Sequence, residues 1–326
     1  MKNLGIVILL FAMGAVLASG QGNPVVRLEP ALDEIVASDT KIEKVAGDLL
    51  HLEGPVWVRQ EGYLLFSDMD ANVIYKWSPA GGKVTVFIEN SGFATQDALK
   101  LAQAKAGGQA LLDVGSNGIT VDPQGRIVYC TRGDRQVMRL EKDGRRTVVA
   151  SRFEGKPLNR PNDLVYRSDG SLYFTDPTDE SGGNVFVLKD GNLRRLSQNL
   201  PHPNGLAFSP DEKYLYLVDS RESRKVYRFD VLADGTIANG RMFFDMSSEA
   251  APNGPDGMKV DQAGNVYAPG PGGVWIISPD GRHLGSILVP ERVANLAFGD
   301  ADGKTLYMTG RVSVFRIRLK VPGIRP

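Results

Sequence analysis

The sequence predicts an all-β chain folded as a six-bladed β-propeller of four-stranded antiparallel blades, and two observations carry that reading. A strand–turn–strand phrase recurs six times along 326 residues, and one spare strand stands ahead of the first copy. The copies open "EGPVW" at Glu53, "NGITV" at Asn117, "NDLVY" at Asn162, "NGLAF" at Asn204, "DGMKV" at Asp256 and "ANLAF" at Ala294.

Each opening is followed by a turn rich in Gly or Asp, such as "DPQG", "RSDG" or "DQAG". A second strand comes next, as in "RIVYC", "SLYFTD" or "YLYLVD", and a third and fourth can be read after most copies. Each unit is thus a meander of about forty residues. The sixth copy lacks its fourth strand. "KIEKVA", residues 41–46, supplies it from the N-terminal side and closes the ring.

Ahead of that strand, residues 1–20 read as a secretory signal peptide. Lys2 is the charged start, Leu4 to Leu17 is apolar, and Ala18-Ser19-Gly20 forms a small-residue cleavage pattern. The apolar run is short of the ~20 residues that span a bilayer, which argues against an anchor. The propeller domain then occupies 21–326, with an extension at 21–40 that includes a short helix over "PALDEIVA". Residues 91–116 insert a long, partly helical loop between the first two blades. The mature protein is expected to be exported, periplasmic or secreted, with no membrane attachment after cleavage.

Charge and cysteine content narrow the function. With 38 acidic and 38 basic residues the chain presents no bulk field for nucleic acid or an anionic membrane. Cys130 is the sole cysteine, so no internal disulfide forms and packing must hold the fold. No His neighbours it, which favours a packed thiol over a nucleophile.

In a propeller the first strand of each blade lines the central channel, so the residues that open the six copies converge on one mouth. Glu53, Asn117, Asn162, Asn204 and Asp256 bring a side-chain oxygen there, and Ala294 does not. The second strand returns to the same face, placing Asp68, Asp176 and Asp219 nearby. His51 and His202 lie two residues before Glu53 and Asn204, Arg160 two before Asn162, and His283 falls on a solvated outer strand of blade five. Asn-Gly and Asp-Gly pairs also serve as plain turn formers. That reading leaves Glu53 and the convergence unexplained.

Two carboxylates with amide oxygens suit one hard divalent cation, Ca2+ first, with Mg2+, Mn2+ or Zn2+ as alternatives. No His or Cys opens a copy, which argues against zinc held by nitrogen and sulfur. Nucleophile elbows, phosphate-binding loops and zinc-protease motifs are absent from the sequence.

"EGPVW", "SNGITVDPQGR", "RPNDL", "YFTDP", "PNGLAFSPDEKYLYLVDS" and "GPDGMKVDQAGNVY" stand in this order, and together they resemble the gluconolactonase/senescence-marker-protein-30 family of six-bladed propellers. The resemblance runs from about Pro30 to the C-terminus. It implies a single catalytic cation held by Glu53, Asn162, Asn204 and Asp256, with Asp256 as candidate base and Arg160 as a substrate contact. Asn117, Arg132, Asp176, His202 and Asp219 complete the expected substrate-binding set. Arg132, in "TRGDR", stands where close relatives often carry His, and the added cation favours an anionic or differently shaped substrate. The implied activity is hydrolysis of a small lactone or ester by carbonyl polarisation and water attack. Alternatives are a phosphotriesterase of the diisopropylfluorophosphatase type, a non-catalytic sugar- or protein-binding propeller, and a strictosidine-synthase-like condensing enzyme.

Overall fold

The computed structural model describes residues 23–93, 114–178, 182–220, 223–247 and 254–324. The expected leader lies outside them, as does the body of the expected insertion. Six antiparallel sheets, each built on a four-stranded meander and one of them extended by a further strand, form the blades of a β-propeller. Their inner strands are Leu52–Val58, Ser116–Val121, Leu164–Tyr166, Pro203–Phe208, Lys259–Val260 and Asn295–Gly299. Each touches the next, and the last returns to the first.

The strands alternate with turns whose carboxylates cap the backbone. Asp122 Oδ1 accepts from the N–H groups of Gln124 and Arg126, and Asp261 Oδ1 accepts likewise from Ala263 and Asn265. These Asx turns explain why Asp opens so many of the tight connections. Packing follows the blades: the buried apolar residues fall into six clusters, one at each junction between neighbouring blades. Where the ring closes, Trp57 of blade one stacks on Tyr307 of blade six at 5.4 Å. Cys130 sits fully buried beside Phe174 and Leu164, and burial pushes its thiol pKa well up, so it packs as an apolar residue.

Ring closure matches the sequence expectation. Ile42–Ala46 pairs antiparallel with Val314–Arg318 and becomes the outer strand of blade six. Two details differ from it. The expected helix is a single 3-10 turn at Pro30–Glu34, shortened because Ile35 and Val36 turn into the core between blades five and six. Ahead of it, Val25–Arg27 adds a fifth strand to blade five beside His283–Leu288. That cover and Trp275, stacked 4.0 Å away, leave His283 half-buried rather than solvated.

Candidate active site

At one end of the channel the blades enclose a cavity of about 620 Å³. Glu53, Asn117, Asn162, Asn204 and Asp256 all line it, each at the start of its blade, with Ala294 at the sixth position. Local backbone geometry aims three of them. In blades one, two and four the ladder slips at the same place, between Glu53 and Val56, Ser116 and Ile119, and Pro203 and Leu206. A bulge of this kind turns a side chain out of the pleat, here toward the channel axis.

Glycine at the next position lets neighbouring blades approach. A Cβ on Gly54, whose φ is +46°, would lie 2.0 Å from the carbonyl oxygen of Asn117. Gly205 and Gly257 donate their N–H groups to the carbonyls of Asp256 and Ala294, stitching blade four to five and five to six. The Asn-Gly and Asp-Gly pairs therefore serve both roles at once. The first residue faces the cavity, and the second closes the gap to the adjoining strand.

The electrostatics of this floor are strained. The side-chain oxygens of Asn117, Asn162 and Asn204 are buried without a hydrogen-bond partner, a situation that costs about 1–3 kcal/mol per group. Burial pushes the Glu53 carboxyl well above its ordinary range, and the charge of Asp256 pushes it further. Burial also raises Asp256, against the pull of Arg292 at 3.1 Å and of a hydrogen bond from Asn204. Three unpartnered amide oxygens and two crowded carboxylates form an all-oxygen donor set. Such a set fits a hard divalent cation, whose charge and coordination would relieve both strains. Among the described residues no three His, Cys, Asp or Glu side chains gather as a metal cluster, so the amides complete this one.

The chain matches over residues 52–311 the family described as "SMP-30/Gluconolactonase/LRE-like region". It belongs to that family. It is 36% identical over 320 residues to a gluconolactonase of Zymomonas mobilis, covering 92% of this chain and 87% of the relative. A pentonolactonase of Haloferax volcanii is 29% identical over 263 residues, covering 79% and 80%. Among solved structures, a gluconolactonase from Xanthomonas campestris superposes with a TM-score of 0.77 at 29% identity, covering 92% of this chain and 96% of that one.

This member of the SMP-30/gluconolactonase family draws only part of the expected substrate-binding set to the cavity. Arg132 and His202 line it beside Asn117; Arg160, Asp176 and Asp219 are not among its lining residues. Asp176 instead accepts from the N–H groups of Asn159 and Arg160, at 2.9 and 2.7 Å. Asp219 accepts from the N–H of His202 at 2.7 Å, and Asp68 from those of Leu50 and His51 at 3.0 Å. In three blades, then, the aspartate ending the second strand ties down the loop that leads to a cavity residue. Burial raises the Asp176 carboxyl to about 6, against the pull of its two N–H donors.

Two further residues lie one step along the inner strands from the floor. Asn295 Nδ2 donates to Glu53 Oε2 at 3.3 Å and to Asp163 Oδ2 at 3.2 Å, so one amide braces carboxylates from blades one and three. Space for them comes from Gly118 and Gly257, where a Cβ would strike Asp163 at 2.7 Å and Asn295 at 2.0 Å. Register reasoning passes over them because it takes the first residue of each copy. The signal was present all the same: the second residue is Gly in four copies and Asp163 or Asn295 in the other two.

Proposed function

We propose that this chain is a cation-dependent lactonase that opens a small ring ester with water. The convergence of three unpartnered buried amide oxygens with two crowded carboxylates in one polar cavity carries the reading. The gluconolactonase and pentonolactonase relatives give it its substrate class. Glu53, Asn162, Asn204 and Asp256 are the residues that would hold the cation, with Ca2+ first among candidates. A bound divalent cation supplies Lewis-acid polarisation of the lactone carbonyl. Asp256, raised by burial, takes a proton from the attacking water and returns it to the ring oxygen as the carbon–oxygen bond breaks. Arg292, 3.1 Å from Asp256, favours its ionised form against the effect of burial. Asn117 and His202 face the remainder of the substrate from the wall. Asn295 holds Glu53 from beneath.

The test is turnover of a panel of aldonolactones, aliphatic lactones and a phosphotriester, with and without chelator. Chelator-sensitive opening of aldonolactones is the expected result. Hydrolysis of the phosphotriester alone would move the activity to phosphorus chemistry on the same residues, and no turnover at all would leave a binding propeller. The leader-like residues 1–20 support an exported enzyme. Fractionation of cells making the full chain checks this, with a mature N-terminus near Gln21 expected outside the cytoplasm.

A further inference from the structure

Asn117 reaches the cavity from a stretch of backbone that has left its own ladder. In blade two the register slips between Ser116 and Ile119, so Asn117 and Gly118 stand in the bulge without partners across their sheet. A bulge turns a side chain, but it also frees backbone groups, and buried groups of that kind are satisfied from elsewhere. Both neighbouring blades supply the bonds. Gly118 donates its N–H to the carbonyl of Asn162 in blade three at 2.8 Å. From blade one, Ser67 Oγ donates to the carbonyl of Asn117 at 2.7 Å.

Ser67 does not act alone. Its Oγ lies 2.8 Å from Ser116 Oγ, which in turn lies 2.8 Å from Ser91 Oγ. All three serines are buried, and none of them lines the cavity. Ser91 and Ser116 stand where the chain leaves blade one and where it enters blade two. A hydroxyl has a single proton to give, and a row of hydroxyls fixes the direction of each member through its neighbours. The matching position of the second strand carries Thr175 in blade three and Thr309 in blade six. Each of these accepts an N–H from the inner strand of its own blade, at Asp163 and at Asn295. Ser67, by contrast, reaches across to the adjoining blade.

We propose that Ser67 is a positioning residue for Asn117, and that the row Ser67–Ser116–Ser91 aims the Asn117 amide at the substrate. The inference rests on the lactonase reading and adds to it a residue that never touches the ligand. The side-chain oxygen of Asn117 is buried in the cavity wall without a partner. A ring hydroxyl of an aldonolactone can supply the missing donor. That bond forms only if the amide points where the hydroxyl lies, and the residue's own carbonyl, held by Ser67, sets its direction. Gly54 crowds the same carbonyl from blade one, so Ser67 fixes it against a wall. Without the hydroxyl the bulge can relax, and oriented contacts lose strength when a group shifts by a fraction of an ångström.

The experiment compares wild type, Ser67→Ala, Ser67→Thr, Asn117→Ala and the Ser67→Ala/Asn117→Ala double variant. Opening of glucono-1,5-lactone in the presence of Ca2+ is measured beside calorimetric titrations with Ca2+ and with gluconate, the product acid. Ser67→Ala should raise KM and weaken gluconate binding by about three- to tenfold, with kcat little changed. Its Ca2+ affinity should stay near wild type, because Asn117 faces the substrate rather than the cation. Ser67→Thr keeps the hydroxyl, as Thr175 and Thr309 do, and should restore most of the loss. In the double variant the two effects should not add, since Ser67 acts through Asn117. Melting temperatures identify the variants that still fold. If Ser67→Ala does not, Ser116→Ala removes only the support and should show the same pattern at smaller size. Wild-type KM and gluconate affinity, full additivity with Asn117→Ala, or a parallel fall in Ca2+ affinity overturns this inference and leaves the lactonase reading standing. A wild-type protein that opens no aldonolactone overturns both.

Discussion

Asp256 has two tasks in the proposed reaction, and a single atom separates them. Asp256→Asn keeps an oxygen that can hold a cation but loses the charge and the ability to take a proton. Turnover should fall by roughly 10²-fold or more and should not recover at saturating cation. Recovery to near the wild-type rate in a metal titration would move the proton to another group. Asn295 acts at one remove, since its amide braces Glu53 and Asp163 without lining the cavity. Asn295→Ala strips a donor from two buried carboxylates, and apparent cation affinity should drop by about 10–100-fold in a calorimetric titration. Unchanged affinity would reduce the brace to packing. At this scale the sequence was legible wherever a residue opened a copy, as Glu53 and Asn204 do. It was silent on Arg292 and Arg311, which reach the cavity from loops that obey no repeat.

At the scale of the element, the recurring device is an aspartate at the end of a second strand that accepts the N–H groups of an approach loop. Asp176 shows what it costs. Its carboxyl pKa is raised to about 6, above the unfolded value, so the folded state binds the extra proton. The stability that this proton contributes is complete below about pH 4 and is lost as pH rises through about 6. Asp176→Asn removes this slope while losing one of two N–H acceptors, a loss worth about 1–3 kcal/mol. Denaturant unfolding of both proteins should therefore show the variant less stable, with a gap that narrows from about pH 4 to about pH 7. A gap that widens would contradict the raised carboxyl. Strand pairs such as "YLYLVD" could be read because their alternation and Asp-rich turns repeat. Val25–Arg27 could not, since three residues carry no period and its partner strand lies about 260 residues away. The inner strands of blades three and five also begin later than the copies suggest, at Leu164 and Lys259, because Asn162 and Asp256 stand ahead of the regular ladder.

The whole molecule depends on its N-terminal segment. Ile42–Ala46 supplies the outer strand of blade six, and Leu32, Ile35 and Val36 fill the junction between blades five and six. A chain beginning at Leu49 would expose the edge of Val314–Arg318 and empty part of that junction. It should melt well below a chain beginning at Gln21, or aggregate, and equal melting temperatures would refute the role given to the closing strand. The spare strand could be read from the deficit in the sixth copy. The contribution of Leu32 and Val36 could not, because one apolar turn has no register against a distant junction.

The same closure sets an order of events in time. The strand that seals the ring leaves a ribosome about 270 residues ahead of Val314–Arg318, which it must meet. At about 5–20 residues per second the two are separated by tens of seconds of synthesis. Until then blades can form one by one, but the circle stays open and its early edge unpaired. A chain held in that state offers a chaperone a defined interval in which to bind. The sixth blade thus works as a latch that fastens only once Val314–Arg318 has been made.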